Sequence, residues 1–193
     1  MLSKEEGTIT VRLARSAIIA RLSGEPLKTG DLPPIFKEKR GVFVTLHKNQ
    51  DLRGCIGYPE PVMTLLSAIT DSAVNAALHD PRFPPVQPDE IAHIMIEVTV
   101  LTPPTKISAK PQDLPKHVKI GKHGIIIKKG LYQGLLLPQV AEEWGFNAKE
   151  FLSQTCIKAG LPPDAWLAGA EVFSFEGQIF TETTPNGKIV EQD

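Results

Sequence analysis

The sequence is short of cysteine, of long apolar runs and of net charge, and each shortage removes a class of protein. Two cysteines, Cys55 and Cys156, among 193 residues are too few for a disulfide framework, and without further ligands at metal spacing they make no structural zinc site. Both are expected as free thiols. No apolar run approaches the roughly 18 residues that span a bilayer, and the start MLSKEEG lacks the basic then apolar pattern of a signal peptide. The expectation is a cytoplasmic protein without a membrane partner. A net charge of -1 argues against a chain-wide footprint for nucleic acid.

The chain holds 41% hydrophobic and 22% charged residues, a globular composition that excludes disorder and coiled coil. At this length it makes one domain, or one domain with two lobes, and buries roughly 70% of its unfolded surface. Charge is uneven along it. Lysines 106, 110, 116, 119, 122, 128 and 129 face a single acid, Asp113, whereas residues 171–193 carry five acids and one lysine. The basic stretch has no arginine or aromatic residue on which bases could stack, so a solvated lysine face is favoured and RNA contact is weakly supported.

Val11, Ala14, Ile18 and Leu22 fall at helical spacing, with Thr8 or Thr10 as cap and Ser23-Gly24 as stop, which predicts a helix over residues 9–23. GVFVTLHK (41–48) reads as a strand that folds back through Asn49-Gln50-Asp51 into a second arm, residues 52–58. A second helix runs from Val62 to about Leu78, and DPRFPP (80–85) is a rigid loop. Residues 94–101 alternate as a strand, with Glu97 on its wetter face. Residues 102–118, with four prolines, are a candidate linker between lobes. A hairpin follows over 125–137, then two helices, the clearer one capped by Asn147 with Cys156 facing the core, then a strand pair or bent strand over 171–181. The last dozen residues read as frayed. Hairpins separated by helices, without a βαβ alternation, predict an α+β fold with antiparallel sheets.

The chemistry centres on DLRGCIGYPEP (51–61), where two glycines interrupt a strand around a thiol. A strand glycine costs packing and backbone entropy, and marks a bulge or the close approach of another group. Side chains two apart share a strand face, so Arg53 is expected over the Cys55 sulfur, favouring its thiolate. The bland alternative is a small buried cysteine, an ion-paired arginine and glycines that permit tight helix packing. The functional one is a pocket at Gly54 and Gly57 whose backbone N–H groups, with Arg53, receive an anion. His47 is a candidate base; opposite Leu52 it faces away from Cys55, opposite Arg53 it stands beside it, and the first register is favoured. Asp80 and Arg82 pair locally or bind ligand, and His123, in a GKHG turn, joins the candidate ligand-binding residues. No Walker motif, dinucleotide fingerprint or metal-ligand histidine spacing is present, and no cofactor is expected.

Six ordered segments, LRGCIG (52–57), DPRFPPV (80–86), IEVTVL (96–101), GKHGIII (121–127), LLLPQVAEEWGF (135–146) and FLSQTCIKAGL (151–161), resemble the AMMECR-type domain, named for the Alport syndrome, midface hypoplasia and elliptocytosis chromosomal region. The resemblance covers residues 8–182 and leaves 183–193 as a tail. It implies a two-lobed α+β fold, a larger lobe from both termini and a smaller inserted lobe, each with an antiparallel sheet flanked by helices. It places the presumed functional site at LRGCIG near the cleft between lobes, carrying over Arg53, Gly54, Cys55, Ile56 and Gly57. No established activity comes with it. Relatives occur fused to, or encoded with, Memo-like and radical SAM proteins, which makes these expected partners. The sequence thus leads to a site for an anionic small molecule or nucleotide, with Cys55 as candidate nucleophile and Arg53 beside it; a non-catalytic RNA-binding or partner-docking module is the alternative.

Overall fold

The computed structural model describes residues 1–192. The chain divides into two compact units, one formed by Met1–Leu101 with the chain from Gln178 onward, the other by Thr102–Gly177.

In the first unit, α1 (Lys4–Ser23) begins earlier than the apolar spacing predicts, because Ser3 and Glu6 form a capping box. The Ser3 hydroxyl accepts from the Glu6 N–H and the Glu6 carboxylate accepts from the Ser3 N–H, satisfying two otherwise free donors. Thr10, a candidate cap, lies inside the helix and bonds back to the Gly7 carbonyl. Gly24, at φ 74°, stops the helix. α2 (Leu65–Leu78) starts at a Thr64 cap rather than at Val62. Both helices bury one apolar stripe, Val11, Ala14 and Ile18 from α1 and Leu65, Ile69, Ala73 and Ala76 from α2.

That stripe packs on a five-stranded sheet of β1 (Val42–Lys48), β2 (Asp51–Tyr58), β3 (Ile94–Leu101), β8 (Gly177–Glu182) and β9 (Ile189–Gln192), in the order β2-β1-β3-β8-β9. Val42, Val44 and Leu46 of β1 and Ile94, Ile96 and Val98 of β3 are buried, and the residues between them, Phe43, Thr45, His47, Met95, Glu97 and Thr99, are only partly so. Period-two alternation therefore assigns one sheet face to the helices and the other to polar groups. Glu182 lies on the helix side, ion-paired to Arg15 at 2.5 Å and accepting the Ile96 N–H.

The second unit holds β4 (Thr105–Lys106), β5 (Gly124–Lys129), β6 (Tyr132–Leu136) and β7 (Glu171–Phe175), in the order β4-β7-β5-β6, with α3 (Pro138–Glu143) and α4 (Ala148–Lys158). Ile125, Ile127, Phe151, Leu152 and Cys156 form its core. The α+β fold with antiparallel sheets is as the hairpins predict. Two expectations are corrected. Residues 171–181 are not one strand pair: β7 belongs to the second unit's sheet and β8 to the first unit's. Within the tail, Ile189–Gln192 are not frayed, because β9 pairs with β8 from Glu182↔Ile189 to Ile179↔Gln192.

Candidate functional site

The hairpin that carries Cys55 closes on two residues, Asn49 and Gln50, both at positive φ (53° and 71°), so Lys48 pairs with Asp51 and His47 with Leu52. Carried on unchanged, this register would set Cys55 opposite Val44, on the buried helix face. It is not carried on. The pairing shifts after His47, so that Leu46 faces Gly54 and Thr45 faces Cys55, leaving Arg53 as the extra residue of a bulge. A one-residue slip exchanges the two faces of a strand. Cys55 thereby joins Thr45 on the polar face, and Gly54 turns toward α2.

The glycines serve that arrangement, not a vacancy for a ligand. A Cβ on Gly54 would stand 2.2 Å from the Ala76 carbonyl oxygen of α2, and one on Gly57 would stand 2.3 Å from the Val42 carbonyl oxygen and 2.5 Å from Phe43 Cδ1. The helix and β1 already fill both spaces. Ile56, opposite Val44, packs against the first unit's core.

Arg53 does not reach over the sulfur. The bulge turns it to Glu90, whose carboxylate accepts from Arg53 Nη2 at 3.0 Å and Nε at 3.3 Å, from Lys48 Nζ at 2.8 Å and from the Gln87 N–H at 3.0 Å. The hydrogen bond from Arg53, followed by those from Lys48 and Gln87, holds the Glu90 pKa down to about 2. This clamp ties the bulge to the segment that leads into β3.

Asp80 and Arg82 are the groups that meet Cys55, through its backbone. As an edge strand, β2 leaves the Cys55 N–H and C=O without a partner in β1. Asp80 Oδ2 accepts the N–H at 2.8 Å, and Arg82 Nη2 donates to the C=O at 3.2 Å. Arg82 also donates to both oxygens of Asp80, at 3.0 Å from Nε and 2.7 Å from Nη2. These bonds, above all the one from Arg82, keep the Asp80 carboxyl far below the usual carboxylate range although it is only 4% exposed. The Cys55 amide, between the two motif glycines, is thus taken by the protein's own carboxylate. The cation within electrostatic reach of Cys55 is Arg82 rather than Arg53; its guanidinium is shifted upward chiefly by Asp80, with a further contribution from Cys55.

On the polar face, Thr45 Oγ1 lies 3.3 Å from Cys55 Sγ. Thr45 pairs with Cys55 on one side and with Glu97 of β3 on the other, so the three residues form a row across β2, β1 and β3. His47, two residues along β1, shares this face and pairs with Met95. Burial pushes the Glu97 carboxyl up, partly opposed by His47. Sequence reasoning chose the right partner for His47, Leu52, but concluded that it faces away from Cys55; the bulge reverses that conclusion. Thr45 and Glu97 were missed as site residues. The available signal was Gly54, a strand glycine of the kind that marks a bulge.

The other candidates lie in the second unit. His123 accepts the Lys119 N–H on Nδ1 at 3.3 Å and has Nε2 3.5 Å from Glu176, while Gly124 lies against the Phe175 ring, so GKHG is a turn entering β5. Cys156 is fully buried, and desolvation pushes its thiol up. Of the lysine stretch, Lys106, Lys116 and Lys122 are ion-paired to Glu171, Asp113 and Glu176, Lys128 lies over the Phe173 ring and Lys129 donates to the Ala168 carbonyl. Among the described residues, no group of three His, Cys, Asp or Glu side chains is placed to hold a metal ion and no helix is long and apolar enough to cross a membrane.

The AMMECR1 family model matches residues 11–180. A protein of Methanosarcina acetivorans is 55% identical over 197 residues, covering all of this chain and 99% of that protein. One from Methanocaldococcus jannaschii is 48% identical over 196 residues, covering all of this chain and 98% of that protein. The crystal structure of the uncharacterized protein PH0010 from Pyrococcus horikoshii is 46% identical, covers 99% of this chain and 98% of that one, and superposes with a TM-score of 0.80.

Proposed function

We propose, for a chain that belongs to the AMMECR1 family, that the polar face of the first sheet is a ligand site whose working group is the Cys55 thiol. The observation that carries the reading is the disposition of Cys55: its backbone is gripped on both sides by Asp80 and Arg82, while its sulfur stands on the partly exposed polar face beside Thr45. An edge amide and carbonyl need partners whatever the side chain does; met by two side chains, they also hold the sulfur in the fixed direction on which a nucleophile's attack depends. Arg82 places positive charge near the sulfur, which supports an anionic ligand even though the Cys55 N–H is already spoken for.

Iodoacetamide labelling of the folded protein, read by peptide mass spectrometry, tests this. Cys55 reacts at neutral pH while Cys156 stays protected until denaturant is added, and Arg82→Gln slows the Cys55 reaction several-fold. If Cys55 and Cys156 react at similar rates only after unfolding, the thiol-site reading is overturned. An RNA-binding role through the lysine stretch has less support, since five of its seven lysines already have partners within the second unit. Association with Memo-like and radical SAM proteins rests on the family resemblance, and co-purification tests it.

A further inference from the structure

Trp144 is a side chain whose position the fold does not account for. It lies in the segment LLLPQVAEEWGF (135–146), which the thiol-site reading leaves without a role. α3 ends in a tight stop around Gly145, at φ 64°, where the Gly145 N–H donates to the Glu142 carbonyl at 3.1 Å and the Phe146 N–H to the Ala141 carbonyl at 2.8 Å. Phe146 is thereby returned to the second unit's core, against which it packs. Trp144, one residue before the glycine, stays 72% exposed. Tryptophan is highly buried on average, and it is over-represented among side chains that carry binding energy.

The indole stacks with the Phe146 ring, 6.3 Å between centroids and 16° between planes, beside an open cleft of about 400 Å³. That volume lies within the range of small-ligand pockets. The outer face of α4 supplies the rest of the lining, Lys149, Glu150, Ser153 and Gln154, while its inner face is buried in the core. Ser153 Oγ accepts from Trp166 Nε1 at 3.1 Å, which fixes the oxygen and leaves its own proton to donate. The Trp144 indole N–H, the Gln154 amide and the Lys149 ammonium have no hydrogen-bond partner among the described residues. Glu150 gives one oxygen to the Asn147 N–H at 2.9 Å.

We propose that this cleft seats an uncharged heteroaromatic ring of the nucleobase kind, stacked on Trp144 and held at its edge by Ser153 and Gln154. Indole and phenyl already form a stack of π faces, which a third flat ring extends. The edge of such a ring carries donors and acceptors together. The Gln154 amide offers both, the pairing by which glutamine holds adenine, and Ser153 adds a donor. Of the charged groups that line the cleft, Lys149 and Glu150 oppose one another, so nothing in the lining selects a phosphate. The ring is therefore that of a free nucleoside rather than of a strand gripped by its backbone. The site lies in the second unit, and its failure would leave the Cys55 reading untouched.

The chain has two tryptophans, Trp144 and the buried Trp166, so two indole N–H resonances of the nitrogen-15-labelled full chain report on the cleft. Adenosine is expected to shift the Trp144 resonance saturably and, through Ser153, the Trp166 resonance by less. W144A weakens adenosine binding on the order of 10- to 100-fold, read on the Ser153 and Gln154 amides. An unmoved Trp166 resonance in ligand-free W144A shows that the second unit is folded. Q154A weakens binding about 3- to 10-fold. Adenosine monophosphate binds within about twofold of adenosine, with no change between about 50 and 200 mM salt. A Trp144 resonance that adenosine does not shift saturably, or W144A that binds as wild type does, overturns the seat. Methyl glucoside binding as tightly as adenosine overturns the heteroaromatic class, and a hexa-adenylate bound far more tightly with steep salt dependence overturns the free nucleoside. A ligand-free Trp144 shift that grows with protein concentration makes the patch an interface between copies and overturns the ligand site.

Discussion

Replacing Gly54 by alanine separates a packing role for the motif glycine from a ligand-binding one. The added methyl carbon would lie 2.2 Å from the Ala76 carbonyl oxygen and 3.1 Å from the carbonyl carbon, and both belong to the backbone of α2. A side chain could rotate away; a helix backbone cannot. Relief requires about 1 Å of separation between β2 and α2. A gap of that size forfeits a quarter to a half of the dispersion energy along the interface, here the contacts of Ile69, Ala73 and Ala76 with the sheet. Overpacking of this kind costs about 1–3 kcal/mol, and a backbone obstacle puts Gly54→Ala at about 3 kcal/mol. With a urea slope of about 2 kcal/mol per molar, the unfolding midpoint of the first unit drops by roughly 1.5 M. Amide exchange in α2 and β2 follows that unit separately from the second. An unchanged midpoint would refute the argument, and an unchanged midpoint joined to altered Cys55 reactivity would restore the vacancy reading.

Two acids that hold the hairpin predict an acid-sensitive site. Glu90, at about 2 in the folded chain against an ordinary value near 4.5, stabilises the fold above pH 4.5 and loses that contribution as pH falls toward 2. The shift corresponds to at most ~3 kcal/mol. Glu90→Gln should therefore lower the unfolding midpoint at pH 7 and match wild type near pH 2; an equal deficit at both values would show that the charge is not the cause. Asp80 is depressed in the same direction, so its contribution too is present above the ordinary carboxylate range and is lost on acidification. Asp80→Asn removes the charge from the Cys55 N–H acceptor at a cost of about 1.5–3 kcal/mol. Exchange of the Cys55 amide should accelerate roughly 10- to 100-fold, and unchanged protection would sink the clamp.

Much of the architecture was legible as local pattern. The alternation over 94–101, the cap at Asn147 with Cys156 on the inner face of α4, and the Pro-bounded hairpin arms each report a periodicity or a terminus set by neighbours in the chain. The family resemblance was legible too, and the family model matches residues 11–180. Positions 52–57 pointed correctly to an unusual strand, yet the reason lay elsewhere. Gly54 marks the meeting of β2 with the Ala76 carbonyl, and the start of α1 depended on a Ser3–Glu6 pair lying outside the apolar stripe.

What no local pattern contains is which face each strand residue finally occupies. That follows from a single extra residue, Arg53, drawn aside by Glu90 from 37 positions away, and from Asp80 and Arg82 closing on an edge amide 25 and an edge carbonyl 27 positions away. Long-range charge contacts chose the slip, the slip brought Cys55, Thr45, His47 and Glu97 onto one face, and composition and spacing carry no record of contacts made only when the chain has closed on itself.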